Sequence, residues 1–401
     1  MKKTLSTVLM LAIAMSSFAQ KGKKAAEKPE GYQFTVVKEN PVTPVKNQAS
    51  SGTCWCYSTL SFLESEAIKK GAPANIDLAE MFPVWHGYSD KAVKFVRLDG
   101  KLNYEQGSSF GDVLYTLKHY GLVPQKEMEG LNYGEPMNKH GELVGVLKGY
   151  VNAVIKNPNR KLSTAWLNGL NGVLDAYLGE TPEKFVVDGK EYTPETYAKD
   201  YLKLNADDYV SITSFTHHPF YSQFAIEVPD NWRWDLSYNL PLDEMMQIFD
   251  YAIENGYTVA WASDVSEKGF NRNGLGIVPD VEANQKEAGS DEARWIGKSP
   301  EEKNAAINNQ NAPGKELKIT QEMRQEGYDN KTTTDDHGMH IYGIAKDQNG
   351  TKYYMVKNSW GPTGKYKGFW YVSESFVQYK TLNIVVNKAA IPAAIKAKMG
   401  L

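Results

Sequence analysis

The apolar periodicity changes character along this chain, and that change limits the folds open to it. From Leu60 to about residue 178 apolar residues recur at helical spacing, as in "GELVGVLKGYVNAVIKN" and "RKLSTAWLNGLNGVLDAYLG". From residue 338 onward the pattern is that of strands: "MHIYGIAKD", "TKYYMVKNSW", "GFWYVSE" and "LNIVVNK". Between them lie an aromatic, β-like stretch at 208–237, a helix "LPLDEMMQIFDYAIENG" opened by Pro241 and Asp243, and a strand "YTVAWASDV". Helices gathered in the first half and strands in the last quarter predict an α+β fold. With 401 residues, 41% of them hydrophobic, the chain can bury one large core or two merged ones. No internal repeat is visible.

The first twenty residues, "MKKTLSTVLMLAIAMSSFAQ", carry two lysines, an apolar run too short to span a bilayer, and a small-x-small site ending at Ala19. They predict an export signal over 1–19 and a periplasmic or secreted protein. Residues 20–40 read as a loose charged leader, 41–388 as the main domain, and 389–401 as a short tail. The formal charge of −3 becomes about −5 once Lys2 and Lys3 are removed. Basic residues are not massed in one block, so neither nucleic acid nor a membrane is expected as a partner.

Both cysteines fall in "NQASSGTCWCYSTL", on either side of Trp55. At i, i+2 on a helix they point nearly opposite ways, which excludes an unstrained disulfide between them. Ser50 or Ser51 can cap a helix here, placing Cys54 in its first turn. There the positive end of the helix dipole favours the thiolate, and the unpaired N–H of Cys54 is available to an oxyanion. Gln48 can supply a second donor; Cys56 reads as packing. Among seven histidines, His86, His119, His140, His217 and His218 read as ordinary, and none falls at zinc-like spacing. His337 opens one strand and Asn358 closes the next. Paired antiparallel, these strands bring the two side by side, so that the amide fixes one imidazole nitrogen and frees the other for a thiol. Trp360 can shield that bond, and Trp55 and Trp360 are expected to border the substrate. His340, three residues on, faces the opposite side of the strand.

The segments "NQASSGTCW", "DHGMHIYGIA" and "KNSWG" resemble the signature segments of papain-type cysteine peptidases. The resemblance implies Cys54 as nucleophile, His337 as base, Asn358 as its orienter and Gln48 as oxyanion donor, with no metal or cofactor. It also favours His337 over His340, because His337 keeps the family's interval to Gly343. Cys54 and His337 are 283 residues apart, against about 130–150 in papain. A helical insertion over about 125–235 is the expected cause. An enlarged core of this kind, with "IDLAEMFPVW", "YGLVP", "ENGYTVAWASDV" and "KGFWYV", resembles the bleomycin hydrolase/aminopeptidase C branch. That branch implies peptide substrates, an aminopeptidase activity, a caged homohexamer, and a substrate-binding glycine at Gly107, next to which Ser108 departs from the pattern. In the branch a C-terminal arm caps the cleft. Here the tail is expected to fall short of it, so an open-cleft endopeptidase is the alternative. A non-catalytic binding protein on the same fold and a Cys-dependent acyl transferase are the readings from other classes.

Overall fold

The computed structural model describes residues 31–280, 297–302 and 312–401. The expected export signal, the start of the leader and most of a helix expected near 300–309 lie outside the described residues. The leader is not loose throughout: β1 (Thr35–Glu39) pairs with a central strand of the main sheet, and Asn40 donates to the carbonyls of Ile253 and Tyr257.

Helix α1 (Cys54–Lys69) is buried over almost its whole length, because it runs between two layers rather than on a surface. Leu60, Phe62 and Leu63 are fully enclosed, each contributing about 1.5–3 kcal/mol by burial. Its buried carboxylates are satisfied. Glu64 accepts from Leu78 N–H at 2.9 Å and from the Thr43 hydroxyl, and Glu66 accepts from Asn387 at 2.6 Å. Neither Ser50 nor Ser51 caps this helix. Thr53 is the N-cap residue without a side-chain cap bond, and the Ser51 hydroxyl turns instead to Gln48 O and Thr53 Oγ1.

Packed around it are α2 (Met81–Arg97) and α3 (Phe110–His119), the latter opened by a Ser109–Asp112 capping box. Next come α4 (Gly141–Ile155), α5 (Ala165–Leu178), a small hairpin of β2 (Phe185–Val187) and β3 (Lys190–Tyr192), and a single turn α6 (Pro194–Thr196). The helical part of the expected 125–235 insertion ends here. From Tyr209 the chain joins the main sheet as β4 (Tyr209–Thr213), β5 (Gln223–Ala225) and β6 (Leu236–Asn239).

Helix α7 (Leu242–Glu254) leads into β7 (Val259–Ser263), then β8 (Phe270–Asn271) and β9 (Leu275–Gly276). Helix α8 (Gln321–Asp329) precedes β10 (His337–Lys346) and β11 (Lys352–Lys357). The chain closes with β12 (Phe369–Ser373), α9 (Glu374–Lys380), β13 (Thr381–Asn387) and α10 (Ala393–Met399). Among the described residues one eleven-stranded sheet runs β5-β6-β4-β13-β7-β10-β11-β12-β9-β8, with β1 on β10. The α+β reading holds: the sheet is mainly antiparallel, parallel only at β4–β6 and β9–β12, with α1–α5 in one core cluster and α7, α9 and α10 in another.

Arg324 of α8 ties three segments of this sheet together. Its guanidinium, wholly enclosed, donates to the carbonyls of Ser214 (2.7 Å), Gln378 (3.1 Å), Tyr379 (3.4 Å) and Leu382 (3.5 Å). Arg324→Met fills the space but leaves these acceptors without the donor. We expect it to cost on the order of 3 kcal/mol, read as a lower urea midpoint at unchanged slope.

Candidate active site

The site forms where the first turn of α1 meets the first residues of β10. Gly338 permits the approach: a Cβ there would sit 2.7 Å from Ser58 Oγ and 3.3 Å from the Cys54 carbonyl. His337, one residue earlier, and Cys54 therefore line the same cavity of about 630 Å³, together with Gln48, Gly107, Asp230 and Asp335.

On one side, His337 Nε2 lies 2.8 Å from Asn358 Oδ1. The Asn358 oxygen also accepts the Ser359 N–H at 2.7 Å, which fixes the amide so that its oxygen faces the imidazole. A proton on Nε2 then leaves Nδ1 as the basic nitrogen. The Trp360 ring stacks over His337 at 4.7 Å and covers that hydrogen bond. His340 is elsewhere. It is fully buried under Phe62, with Nδ1 2.8 Å from Ser61 Oγ, outside the residues that line the cleft.

Opposite, Gln48 is clamped by its backbone N–H to Ser359 O at 2.8 Å and by Ser359 Oγ to its Oε1 at 2.5 Å. Its Nε2 spends one hydrogen on Ser51 O at 2.8 Å, leaving the second for the cleft. Burial pushes the Cys54 thiol up to about 11, against the opposing influence of the nearby backbone of Gly338 and Trp55. Burial likewise holds the His337 imidazole down to about 4, against the pull of Asn358 and Asp336. Each group alone favours its neutral form. Only a transfer that creates both charges together lets each offset the other.

The two cysteines are free thiols with different surroundings. Cys56 is wholly enclosed and its thiol points at the Glu80 carbonyl, 3.2 Å away. Trp55 borders the cleft, but its indole is 2% exposed and donates to Gln106 O at 3.1 Å. Gly52 N–H bonds the Gln106 side chain at 2.7 Å. Trp55 thus holds the segment that carries Gly107 across from Cys54, a packing role in place of the substrate contact expected for its ring. Trp360, 38% exposed, covers His337 and is not among the residues lining the cavity.

Gly107 is in the cleft, and the structure shows what its missing side chain makes room for. A Cβ there would fall 1.9 Å from Asp230 Oδ2. Its carbonyl accepts from buried Lys91, and the neighbouring Ser108 hydroxyl accepts from Trp232 at 3.0 Å. Asp335 is the second carboxylate here. Burial, with the charges of Asp230 and Asp336 adding to it, raises its carboxyl to about 7. Asp336 also borders the cavity but is already engaged, accepting from Ser266 N–H (2.9 Å), Val265 N–H (3.2 Å) and Thr334 Oγ1 (2.8 Å). The tail, expected to fall short, instead folds as α10 and brings Leu401 to the cavity wall. Sequence reasoning missed Asp230 because it lies in an irregular loop with no periodicity to report its direction. Asp335 was in view in "DDHGM", without a sign that Asp336 would be engaged by Ser266, Val265 and Thr334 while Asp335 is left to the cleft.

The sequence model of the papain family of cysteine proteases matches residues 29–84, and that of the peptidase C1-like family matches 309–400. These are the two ends that meet in the cleft. The chain belongs to the papain-type cysteine peptidases, in the aminopeptidase C group. This peptidase is 22% identical over 387 residues to aminopeptidase G of Lactobacillus delbrueckii subsp. lactis, covering 87% of this chain and 82% of the relative. It is 19% identical to bleomycin hydrolase of Gallus gallus, covering 89% and 82%. The crystal structure of PepW from Lactobacillus rhamnosis superposes on the peptidase with a TM-score of 0.68 at 19% identity, over 91% of this chain and 84% of that one. No described helix of the peptidase is long and apolar enough to cross a membrane.

Proposed function

We propose that this peptidase is an aminopeptidase that works through Cys54, His337, Asn358 and Gln48. His337 Nδ1 takes the Cys54 proton as the sulfur attacks the scissile carbonyl. The oxyanion is held by the free Gln48 Nε2–H and the first-turn N–H of Cys54, which has no intrahelical acceptor. His337 then passes the proton to the leaving amine as the C–N bond breaks. In the second half it takes a proton from water, which cleaves the thioester and returns the free thiol. Asn358 holds the imidazole in the tautomer that this shuttle needs. Gln48→Ala is expected to lower kcat about 10²–10³-fold with little change in KM, measured by steady-state kinetics.

The observation that carries the exopeptidase reading is the placement of Asp230 and Asp335, two of the five aspartates lining the cavity that also contains Cys54, with Asp230 seated on Gly107. A peptide's free α-ammonium is cationic below about pH 8 and has two acceptors there, whereas a blocked N-terminus has none to use. Leu401 on the same wall narrows the space further. The test is hydrolysis of two fluorogenic peptides of one sequence, one with a free and one with a blocked N-terminus. Cleavage of the free form alone is expected; comparable cleavage of the blocked form overturns the aminopeptidase reading in favour of an endopeptidase. The exported location rests on residues 1–19 alone and is tested by N-terminal sequencing of the protein from the host.

A further inference from the structure

Outside the cleft, two consecutive histidines and a glutamate converge on one point. His217 Nε2 lies 3.1 Å from Glu227 Oε2, and His218 Nε2 lies 3.1 Å from Glu227 Oε1. The three donor atoms fall within 4.8 Å of one another. We propose that His217, His218 and Glu227 form a binding site for a divalent transition-metal ion of the zinc type.

The chemistry of the donor set fits. Imidazole nitrogen with carboxylate oxygen is a set that zinc and its neighbours accept. A tetrahedral ion at about 2.0–2.1 Å from each ligand separates those ligands by roughly 3.3 Å; each imidazole nitrogen is 3.1 Å from a Glu227 oxygen, and the three donors, within 4.8 Å of one another, need only a small side-chain closure to reach that spacing. Three protein ligands leave a fourth position, and the partly exposed side chains, at 28%, 36% and 57%, open it to water.

The site is also built in advance. His217 Nδ1 faces the Gln325 amide, 3.3 Å from Oε1 and 3.1 Å from Nε2; in the tautomer with the proton on Nδ1, Oε1 accepts it and the Nε2 lone pair is left for the ion. That oxygen is itself fixed by the Thr216 N–H at 2.6 Å, and Gln325 Nε2 donates to Asp329 at 2.9 Å. His218 stacks on Phe224 at 4.1 Å, and His217 on Tyr328 at 5.6 Å. Beneath the turn, Asn239 Nδ2 donates to the carbonyls of Phe215 (2.8 Å), His218 (2.9 Å) and Pro219 (3.2 Å). A pair of histidines serving only as a surface ion pair with one carboxylate does not require this support.

The location gives the ion a consequence. Glu227 sits between Ile226 and Val228, both of which line the cleft, while Gln325 and Tyr328 belong to α8, whose chain runs on to Asp335 and His337. A bound ion would hold the 217–228 segment that walls the cleft in one conformation.

The test uses the full chain with Cys54 alkylated, so that its thiol does not compete, stripped with EDTA and titrated with Zn²⁺ by calorimetry and with Co²⁺ by visible absorption. One ion per chain is expected, with a rise in the thermal midpoint. Glu227→Gln and His218→Ala should each weaken binding at least about tenfold and remove the midpoint rise. Glu227→Gln keeps the size and acceptor of the native side chain, and its circular dichroism and metal-free midpoint check that it folds. If the unsubstituted protein takes up no Zn²⁺ below about 100 µM, or if both variants bind it as tightly as the native sequence does, the proposal is wrong.

Discussion

Cys54→Ala is expected to remove at least about 10⁴-fold of kcat on a free-amine peptide, while Cys56→Ala keeps activity within a few-fold. The two residues are a sharp internal comparison, since they share a helix, a residue type and a neighbour in Trp55. What differs is where each sulfur points. Cys54 opens α1 and lines the cavity with His337. Cys56 is enclosed, aimed at the Glu80 carbonyl, and its thiol is pushed well above the ordinary value by burial. Losing Cys56 should therefore cost stability, about 1 kcal/mol, and not chemistry. The same contrast runs between the histidines: His337→Ala should match Cys54→Ala, whereas His340→Ala should loosen the packing against Ser61 and Phe62 and leave the chemistry in place. Steady-state rates with titrated active sites decide both, and mass spectrometry after mild iodoacetamide treatment should find the label on Cys54. Equal rates for the native protein and Cys54→Ala would sink the catalytic reading and favour a binding protein on the same fold.

The parts of this molecule legible in the sequence are those set by local rules. The helical period of α2, α4 and α5, the Pro241 entry to α7 and the alternation in β10–β13 are carried by neighbours a few residues apart, and each element lies close to its expected place. So was the contact between His337 and Asn358, because antiparallel pairing brings the start of one strand beside the end of the next, although the observed register, His340 opposite Lys357, leaves Asn358 just past the ladder. What failed depended on long-range packing. Residues 35–39 read as a charged leader because their side chains are mostly exposed; their backbone, which sequence pattern does not report, completes the sheet beside β10. The β-like character of 208–237 was legible and β4–β6 form there, but their pairing was not, because partners such as β13 lie far along the chain. The tail looked too short because its reach was judged by length, whereas β13 and α10 carry it directly to the cleft. The proximity of Glu227 to His217 and His218 was not legible either, because it arises only after the chain turns through Pro219 and Tyr221.

Asp335→Asn is expected to lower kcat/KM for a free-amine peptide by about 30-fold near pH 7.5, chiefly through KM, and to abolish the acid limb of its pH profile. The carboxyl is raised to about 7 by burial, reinforced by Asp230 and Asp336. It is therefore charged above that pH and neutral below it. The substrate's α-amine behaves in the opposite sense, losing its charge above about pH 8. Attraction between them is greatest in the interval where both are ionised, so kcat/KM should fall on the acid side with a midpoint near 7. His337, its imidazole held down to about 4, and Cys54, its thiol pushed up to about 11, lie on either side of that midpoint, so loss of the limb in Asp335→Asn is what assigns it to Asp335. Stability supplies a second readout with a fixed sign. A carboxyl whose folded value lies above its unfolded one, about 3.9, binds a proton more tightly in the native state, so it loses stability as pH rises from about 4 to 7. Asp335→Asn should then raise the thermal midpoint near pH 8 and leave it nearly unchanged near pH 4, while activity moves the other way. A site that recognises an ammonium ion holds a charge the fold alone would rather neutralise, and a variant that gains neither stability at pH 8 nor a flat acid limb would show that Asp335 has no such part.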